Sequence, residues 1–244
     1  MSKTIGIIGS QGFIGGNLFQ YFLDNTDYDV VPIYRGYETP SDIEFDCIIN
    51  AGGNSRKMIA EADPCMDFEK NVKEVYWSVI NHRYKKYVLI GSIDAIDSIG
   101  VYGHNKKIAE GIVQKLKHHC ILRCGSVIGP KMKKGVVYDI VNDLPVWIDL
   151  TSTIQFVTVK KIFQYIENYV NSDYLDNMCL NMIGHGNAMP FEIATALGKD
   201  PSKLKFSDMA HTENYRYEPY HEIIESSVEF IKEYAEDERM EKPV

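Results

Sequence analysis

Lys3-Thr-Ile-Gly-Ile-Ile-Gly9-Ser-Gln-Gly12-Phe-Ile-Gly15-Gly16-Asn-Leu18 is the stretch that decides the fold. An apolar run ends in three glycines spaced three apart, and a helical pattern follows. A strand, a tight glycine turn and a helix N-terminus together make a seat for an anion. Glycine reaches backbone angles closed to other residues and lets a diphosphate approach the main chain. The spacing is G-x-x-G-x-x-G rather than the G-x-G-x-x-G of the dehydrogenase fingerprint. Alone, the turn specifies a phosphate and no more.

The rest of the chain supplies the context. Its 244 residues fit one α/β domain with an appended lobe, and a hydrophobic fraction of 45% is enough for a sizeable core. A formal charge of −8 and a pI near 5.4 exclude the basic footprint of a general nucleic-acid binder. They leave room for an anionic ligand held by backbone N–H groups. No apolar run has the length of a membrane helix, and the N-terminus enters a strand pattern without a signal peptide. The five cysteines include no C-x-x-C pair, so reduced thiols, no metal and a cytoplasmic setting are expected.

Taken in order, the pattern predicts strands over residues 3–8, 29–34, 46–50, 87–91 and 119–124. Helices are predicted over 12–24, 66–82 and 102–116. The apolar stripe of the first is Phe13, Ile14, Leu18, Phe22 and Leu23; that of the second is Phe68, Val72, Val75, Val79 and Ile80. Beyond residue 125 shorter elements follow: helices at 135–142, 158–170 and 190–197, and strands at 146–149, 154–157 and 178–183. A final helix is predicted over 220–238, with Ile223, Ile224, Val228, Ile231 and Tyr234 on its buried face. The alternation specifies an α/β, Rossmann-like doubly wound parallel sheet with a small C-terminal substrate lobe. The expected boundaries are a dinucleotide-binding core over 1–125 and a lobe over 126–244, interleaved with the last core elements.

Two strand ends carry further information. The end of the second strand faces the adenosine ribose in this fold, where an acid selects NAD and a basic residue accommodates a 2′-phosphate. Tyr34-Arg35-Gly36 stands there, and Arg35 favours NADP. Asn50-Ala51-Gly52-Gly53 ends the next strand and lets backbone approach a ligand. Only a short, proline-containing segment separates it from Arg35, so this part of the fold is trimmed.

Tyr102, Lys106 and Ser92 carry the chemistry. Tyrosine, with a pKa near 10, is a poor acid or base at neutral pH. A lysine ammonium one helical turn away favours the phenolate. Ser92, at a strand end, can exchange a hydrogen bond with the substrate oxygen that Tyr102 protonates or deprotonates. A nicotinamide over the same strand ends would exchange a hydride with the carbon.

These residues and motifs resemble the extended-type short-chain dehydrogenase/reductases, specifically the NAD-dependent epimerase/dehydratase branch acting on nucleotide sugars. Gly9-Ser-Gln-Gly-Phe-Ile-Gly15, Asn50-Ala-Gly52, Asn71-Val72, Ser92, Tyr102-Gly-His-Asn-Lys106 and Arg123 to Pro130 carry the resemblance, in family order. The resemblance implies cofactor contacts from Gly9, Gln11, Gly12, Phe13, Ile14, Gly15, Asn50, Ala51, Gly52 and Lys106. It implies that Tyr102 is the acid/base and Ser92 its partner. Asn54, Asp94, Ser126, Trp147 and Gln155 are the expected substrate contacts. The implied protein is an NAD(P)-dependent epimerase or ketoreductase of a sugar or nucleotide sugar. The family often pairs the helices corresponding to 66–82 and 102–118 into a homodimer.

The chain also departs from the family. The loop from Ser92 to Tyr102 is short, Ile93-Asp94 does not supply the Asp-Glu pair of a dehydratase, and Ser126 stands where many members have Asn. The alternative is a non-catalytic NAD(P)-binding regulator or assembly protein of the same fold.

Overall fold

The computed structural model describes residues 2–34 and 43–241, and Arg35 lies outside them. The elements run β1 (Thr4–Ile8), α1 (Phe13–Asn25), β2 (Asp29–Ile33), β3 (Glu44–Asn50), α2 (Lys57–Ala62), α3 (Pro64–Phe68), a π-helical turn (Glu69–Lys73) and α4 (Glu74–Asn81). They continue with β4 (Arg83–Ser92), α5 (Asp94–Asp97), α6 (Gly100–Val113), β5 (His119–Cys124), β6 (Ser126–Ile128), α7 (Val136–Val141) and β7 (Val146–Ile148). The last are β8 (Phe156–Thr158), α8 (Val159–Asn171), β9 (Met178–Met182), α9 (Pro190–Ala196), β10 (Phe206–His211) and α10 (Ser227–Glu241). The chain divides into two compact units, residues 1–123 with 163–180, and residues 124–162 with 181–244.

The first unit is built on a six-stranded sheet of order β2-β1-β3-β4-β5-β9. β1 pairs with both β2 and β3 in parallel, and β3 pairs with β4 in parallel. This is the α/β architecture expected. The chain steps out to β2 and then returns past β1 to β3, so the direction of winding reverses between β1 and β3. A parallel sheet has both faces covered, which is why its central segments, such as Cys47–Ile49 and Tyr87–Ile90, are apolar and buried. Phe45, Ile48, Tyr87, Val75, Val113 and Ile121 pack together in the core. A buried ion pair fixes α6 to β5: Arg123 Nε and Nη2 donate to the two oxygens of fully buried Glu110 at 2.8 and 2.7 Å. This fork holds the Arg123 guanidinium above its ordinary pKa, the hydrogen bond to Glu110 being the main cause.

The second unit contains two small parallel ladders, β6 with β8 and β7 with β10. Buried Gln155 organises it: its amide donates to Tyr217 O and accepts from Tyr217 N–H, each at 2.9 Å. Among the described residues no helix is long and apolar enough to cross a membrane.

Three details differ from the sequence pattern. The helix expected over 66–82 is α3, the π turn and α4 in succession, and its buried face keeps Val72 and Val75 of the expected stripe but not Phe68 or Ile80. Asp67, Asn71, Val72, Val75 and Ser78 point inward, while Phe68, Tyr76, Trp77 and Ile80 are exposed. Asp67, the Asn71 Nδ2 group and Ser78 are hydrogen-bonded, which the apolar period does not register. The helix expected from 220 begins only at Ser227. Ser226 Oγ accepts from Glu229 N–H and the Glu229 carboxylate accepts from Ser226 N–H. This capping box fixes the start, and Ile224, expected inside, is exposed. In α1, Leu18 and Phe22 are buried but Leu23 is exposed.

The glycine turn sets the tightest tolerance. A Cβ at Gly15 would lie 2.3 Å from Gly9 O, so α1 approaches the turn as only glycine allows. Gly111, on the outer face of α6, has nothing within 4 Å of such an atom. In urea unfolding, Gly15→Ala is predicted to lower stability by about 2 kcal/mol. Gly111→Ala is predicted to raise it by about 0.5–1 kcal/mol through helix entropy. Equal effects at the two sites would contradict the packing.

Candidate active site

The winding reversal brings two turns together at the carboxyl ends of β1 and β3. Gly9 has φ +79, and a Cβ there would lie 2.8 Å from Gly52 N and 2.9 Å from Ala51 O. Gly12 N–H donates to Gly9 O at 2.8 Å and closes the glycine turn, and Ala51 N–H donates to Ile8 O at 3.0 Å. Open α/β sheets bind ligands at such a reversal, outside the strand ends. Gly12 is the N-cap of α1 with no side-chain cap, leaving the first-turn N–H groups facing outward. Ser10 Oγ is buried without a hydrogen-bond partner. Gln11 and Gly12 are exposed, and Phe13 and Ile14 half-buried.

Asn50 does not reach outward. Its amide donates to Tyr87 Oη at 2.9 Å and accepts from Gly52 N–H at 3.0 Å. It shapes the Ala51-Gly52 turn from behind, and burial pushes the Tyr87 hydroxyl well above its ordinary pKa.

Ser92 ends β4 and is 7% exposed. Its Oγ donates to Asp94 Oδ2 at 2.9 Å and accepts from Asp94 N–H at 3.3 Å. Lys57 Nζ lies 3.0 Å from Asp94 Oδ1. Tyr102 and Lys106 share the buried face of α6, 9% and 8% exposed. Lys106 Nζ lies 5.6 Å from the centre of the Tyr102 ring. At Gly103 a Cβ would lie 2.6 Å from Asp94 O. That small residue lets the start of α6 seat against α5, so the Tyr102 turn and the Ser92-Asp94 pair are held close.

The sequence pattern missed Asp67 and Asn105, and it named Asn54 and Asn71 without placing them in the network that supports this face. Fully buried Asp67 accepts from Asn54 Nδ2 at 2.7 Å, Asn71 Nδ2 at 2.8 Å and Asn105 Nδ2 at 2.8 Å. It ties the turn after β3, the π turn and α6 together. Asn71 Oδ1 is buried without a partner. A Cβ at Gly53 would lie 2.4 Å from Asn71 Oδ1 and 3.5 Å from Lys106 Nζ, so these two polar atoms flank Gly53. Helix α2 adds two supports: Lys57 on Asp94, and Glu61 Oε1, which accepts from Val101 N–H at 2.7 Å at the start of α6. The Asp63-Pro64 start of α3, where Asp63 caps Met66 N–H, and the i, i+4 spacing of Asp67 and Asn71 are the signals that could have found this network.

The other expected contacts fall as follows. Asn54 is engaged at both ends, donating to Asp67 and accepting from Arg56 N–H at 3.0 Å. Ser126, Trp147 and Gln155 lie in the second unit: Ser126 half-buried on β6, Trp147 exposed on β7, and Gln155 committed to Tyr217.

No protein-family model matches the chain, and a search of curated proteins finds no match. Solved structures do match. UDP-galactose 4-epimerase aligns at TM-score 0.75 and 17% identity, over 98% of this chain and 99% of that one. MoeE5 in complex with UDP-glucose and NAD aligns at TM-score 0.76 and 13% identity, over 98% and 99%. RMD from Pseudomonas aeruginosa complexed with NADPH aligns at TM-score 0.72 and 14% identity, over 97% and 100%. At these identities the likeness establishes the fold. It is the Rossmann-like fold that the resemblance to extended short-chain dehydrogenase/reductases implied.

Asp67→Ala would leave three amides without their acceptor and is predicted to lower stability by about 3 kcal/mol in urea unfolding. A loss below about 1 kcal/mol would contradict the network.

Proposed function

We propose that the chain is an NAD(P)-dependent epimerase or ketoreductase of a nucleotide sugar, acting by hydride transfer assisted by Tyr102, Lys106 and Ser92. The observation that carries it is Lys106 over the Tyr102 ring on the buried face of α6, in the unit whose sheet reversal bears the glycine turn. MoeE5 bound to UDP-glucose and NAD, and RMD bound to NADPH, share the fold and supply the substrate and cofactor class.

The residues fit a nicotinamide dinucleotide. The Gly9-Gly12-Gly15 turn and the uncapped start of α1 would hold its diphosphate. Ser10 Oγ, a buried hydroxyl without a partner, is a ready donor at the same turn. Ala51 and Gly52 would line the cofactor through their backbone, and Lys106 would bind the nicotinamide ribose. When bound, the cofactor accepts and returns a hydride.

The chain's own residues handle the proton. The Lys106 ammonium favours the Tyr102 phenolate, which takes the proton of a substrate hydroxyl and returns it to the carbonyl in the reverse direction. Ser92 holds the same oxygen. Epimerase and ketoreductase share this half-reaction and differ in whether the hydride returns to the same sugar. Ser126 and exposed Trp147 are proposed substrate contacts, and Asp94 acts beside Ser92. Asn50, Asn54 and Gln155, whose amides are engaged internally, are proposed to shape the protein around the site.

Tyr102→Phe is predicted to lower hydride transfer at least about a hundredfold while leaving cofactor affinity within about twofold. Unchanged turnover would overturn the catalytic reading and favour a dinucleotide-binding regulator.

Three narrower proposals accompany it. Arg35, by its charge at the ribose end of the second strand, favours NADP; tighter binding of NAD in parallel titrations would overturn this. The exposed apolar residues Phe68, Tyr76, Trp77 and Ile80 are proposed to pair two copies, and Trp77→Glu should convert a sedimenting dimer to monomer. A monomeric wild type would refute the pairing. The five cysteines form no disulfide among the described residues, which supports a cytoplasmic setting.

A further inference from the structure

A serine hydroxyl has one hydrogen to give and two lone pairs to receive with. At Ser92 the hydrogen goes to Asp94 Oδ2 at 2.9 Å, and one lone pair takes Asp94 N–H at 3.3 Å. Asp94 is held in this arrangement from both sides. Lys57 Nζ pins its other carboxylate oxygen at 3.0 Å, and the close seating of Gly103 fixes its backbone against α6. A carboxylate is a stronger acceptor than a neutral carbonyl, so it keeps the serine hydrogen in competition with a ketone. Toward a ligand, Ser92 therefore presents its remaining lone pair.

We propose that Asp94 is a positioning residue that fixes Ser92 as a hydrogen-bond acceptor, so that the site beside Tyr102 selects a substrate hydroxyl over the corresponding carbonyl. This rests on the reading of Tyr102, Lys106 and Ser92 as a hydride-transfer site and adds a direction to it. The resting complex holds the alcohol, whose single hydrogen rests on Ser92 and must turn to Tyr102 before the hydride leaves. Once the substrate oxygen becomes a carbonyl it faces a lone pair, unless the serine hydrogen swings away from Asp94. The keto form is held more weakly than the alcohol, so the equilibrium within the complex favours return of the hydride.

Asp94→Asn inverts the polarity without changing the shape. The Lys57 ammonium demands an acceptor, so the new amide turns its oxygen to Lys57 and its Nδ2 to Ser92 Oγ. Two donors then fill both serine lone pairs, and the hydroxyl hydrogen is released toward the ligand. The site becomes a donor for a carbonyl.

The test compares two non-reacting ternary complexes by calorimetry: UDP-glucose with reduced cofactor, and its keto analogue with oxidised cofactor. The wild type should favour the hydroxyl ligand. Asp94→Asn should shift the ratio of affinities toward the keto ligand by about tenfold, one good hydrogen bond. In the Ser92→Ala background the same substitution should leave the ratio unchanged. A purely structural role for Asp94 would weaken both ligands equally, and that result overturns the proposal.

Neutron diffraction of the deuterated, ligand-free protein provides a second arm that needs no substrate. It should place the Ser92 deuterium on the line to Asp94 Oδ2, and a deuterium directed elsewhere overturns the assignment. If UDP-sugars bind neither wild type nor variant, the nucleotide-sugar reading fails, and the neutron map alone decides whether Asp94 holds the serine hydrogen.

Discussion

The carboxylate of Asp67 sits at 0% exposure with no fewer than three amides donating to it, from Asn54, Asn71 and Asn105. A buried charge left without such partners is strongly unfavourable, so these three groups cannot move independently. Each belongs to a different segment: the turn after β3, the π turn, and α6. The π turn inserts a wider ring of backbone into an otherwise α-helical run, a feature frequent at functional sites. Here it helps present Asn71 to Asp67 while leaving Asn71 Oδ1 beside Gly53 and toward Lys106. The helix that carries Lys106 and Tyr102 is therefore fixed in part through Asn105 by a carboxylate on α3.

The same logic runs through the rest of the first unit. Backbone atoms crowd Gly9 and Gly15, so the proposed phosphate seat is a tight turn backed by the Ala51-Gly52 turn. Arg123 and Glu110 lock the middle of α6 to β5, and Glu61 of α2 secures its start. With Gly103 against Asp94, the helix carrying Tyr102 and Lys106 is pinned along its length. Preorganisation of this kind lets a weak base such as tyrosine act on a proton that must move only a short distance.

Much of this was legible in the sequence. The glycine turn, the order of strands and the Tyr102-Lys106 pair are short-range signals, and short-range patterns survive folding because they specify local backbone. The buried face of the α3–α4 run was not legible. Apolar period ranks Phe68 and Ile80 as core, whereas Asp67, Asn71 and Ser78 also turn inward, Asp67 held by Asn105 and Ser78 by Asn50 from distant segments. Helix α2 is too short to show a period, so Lys57 and Glu61 carried no local signal. Asn50 was expected to line the cofactor, and Asn54 and Gln155 to contact substrate; all three amides are instead hydrogen-bonded within the protein. Which groups would occupy those amides depends on segments distant in sequence, and in each case the protein itself does. Ser92 with Asp94 was visible as two polar neighbours, but Lys57, which holds the other Asp94 oxygen, lies far upstream in the chain.

The central claim is that Tyr102 and Lys106 move a proton while a hydride leaves the adjacent carbon of a nucleotide sugar. The most direct measurement follows isotope. UDP-sugars deuterated at the carbon bearing the reacting hydroxyl are incubated with the protein and oxidised NAD or NADP, and the nicotinamide is examined by mass spectrometry. The account predicts deuterium on the nicotinamide ring with the wild type and none with Tyr102→Phe. Cofactor that binds tightly yet never acquires deuterium from any sugar in a panel of UDP-, dTDP- and GDP-linked substrates would contradict it.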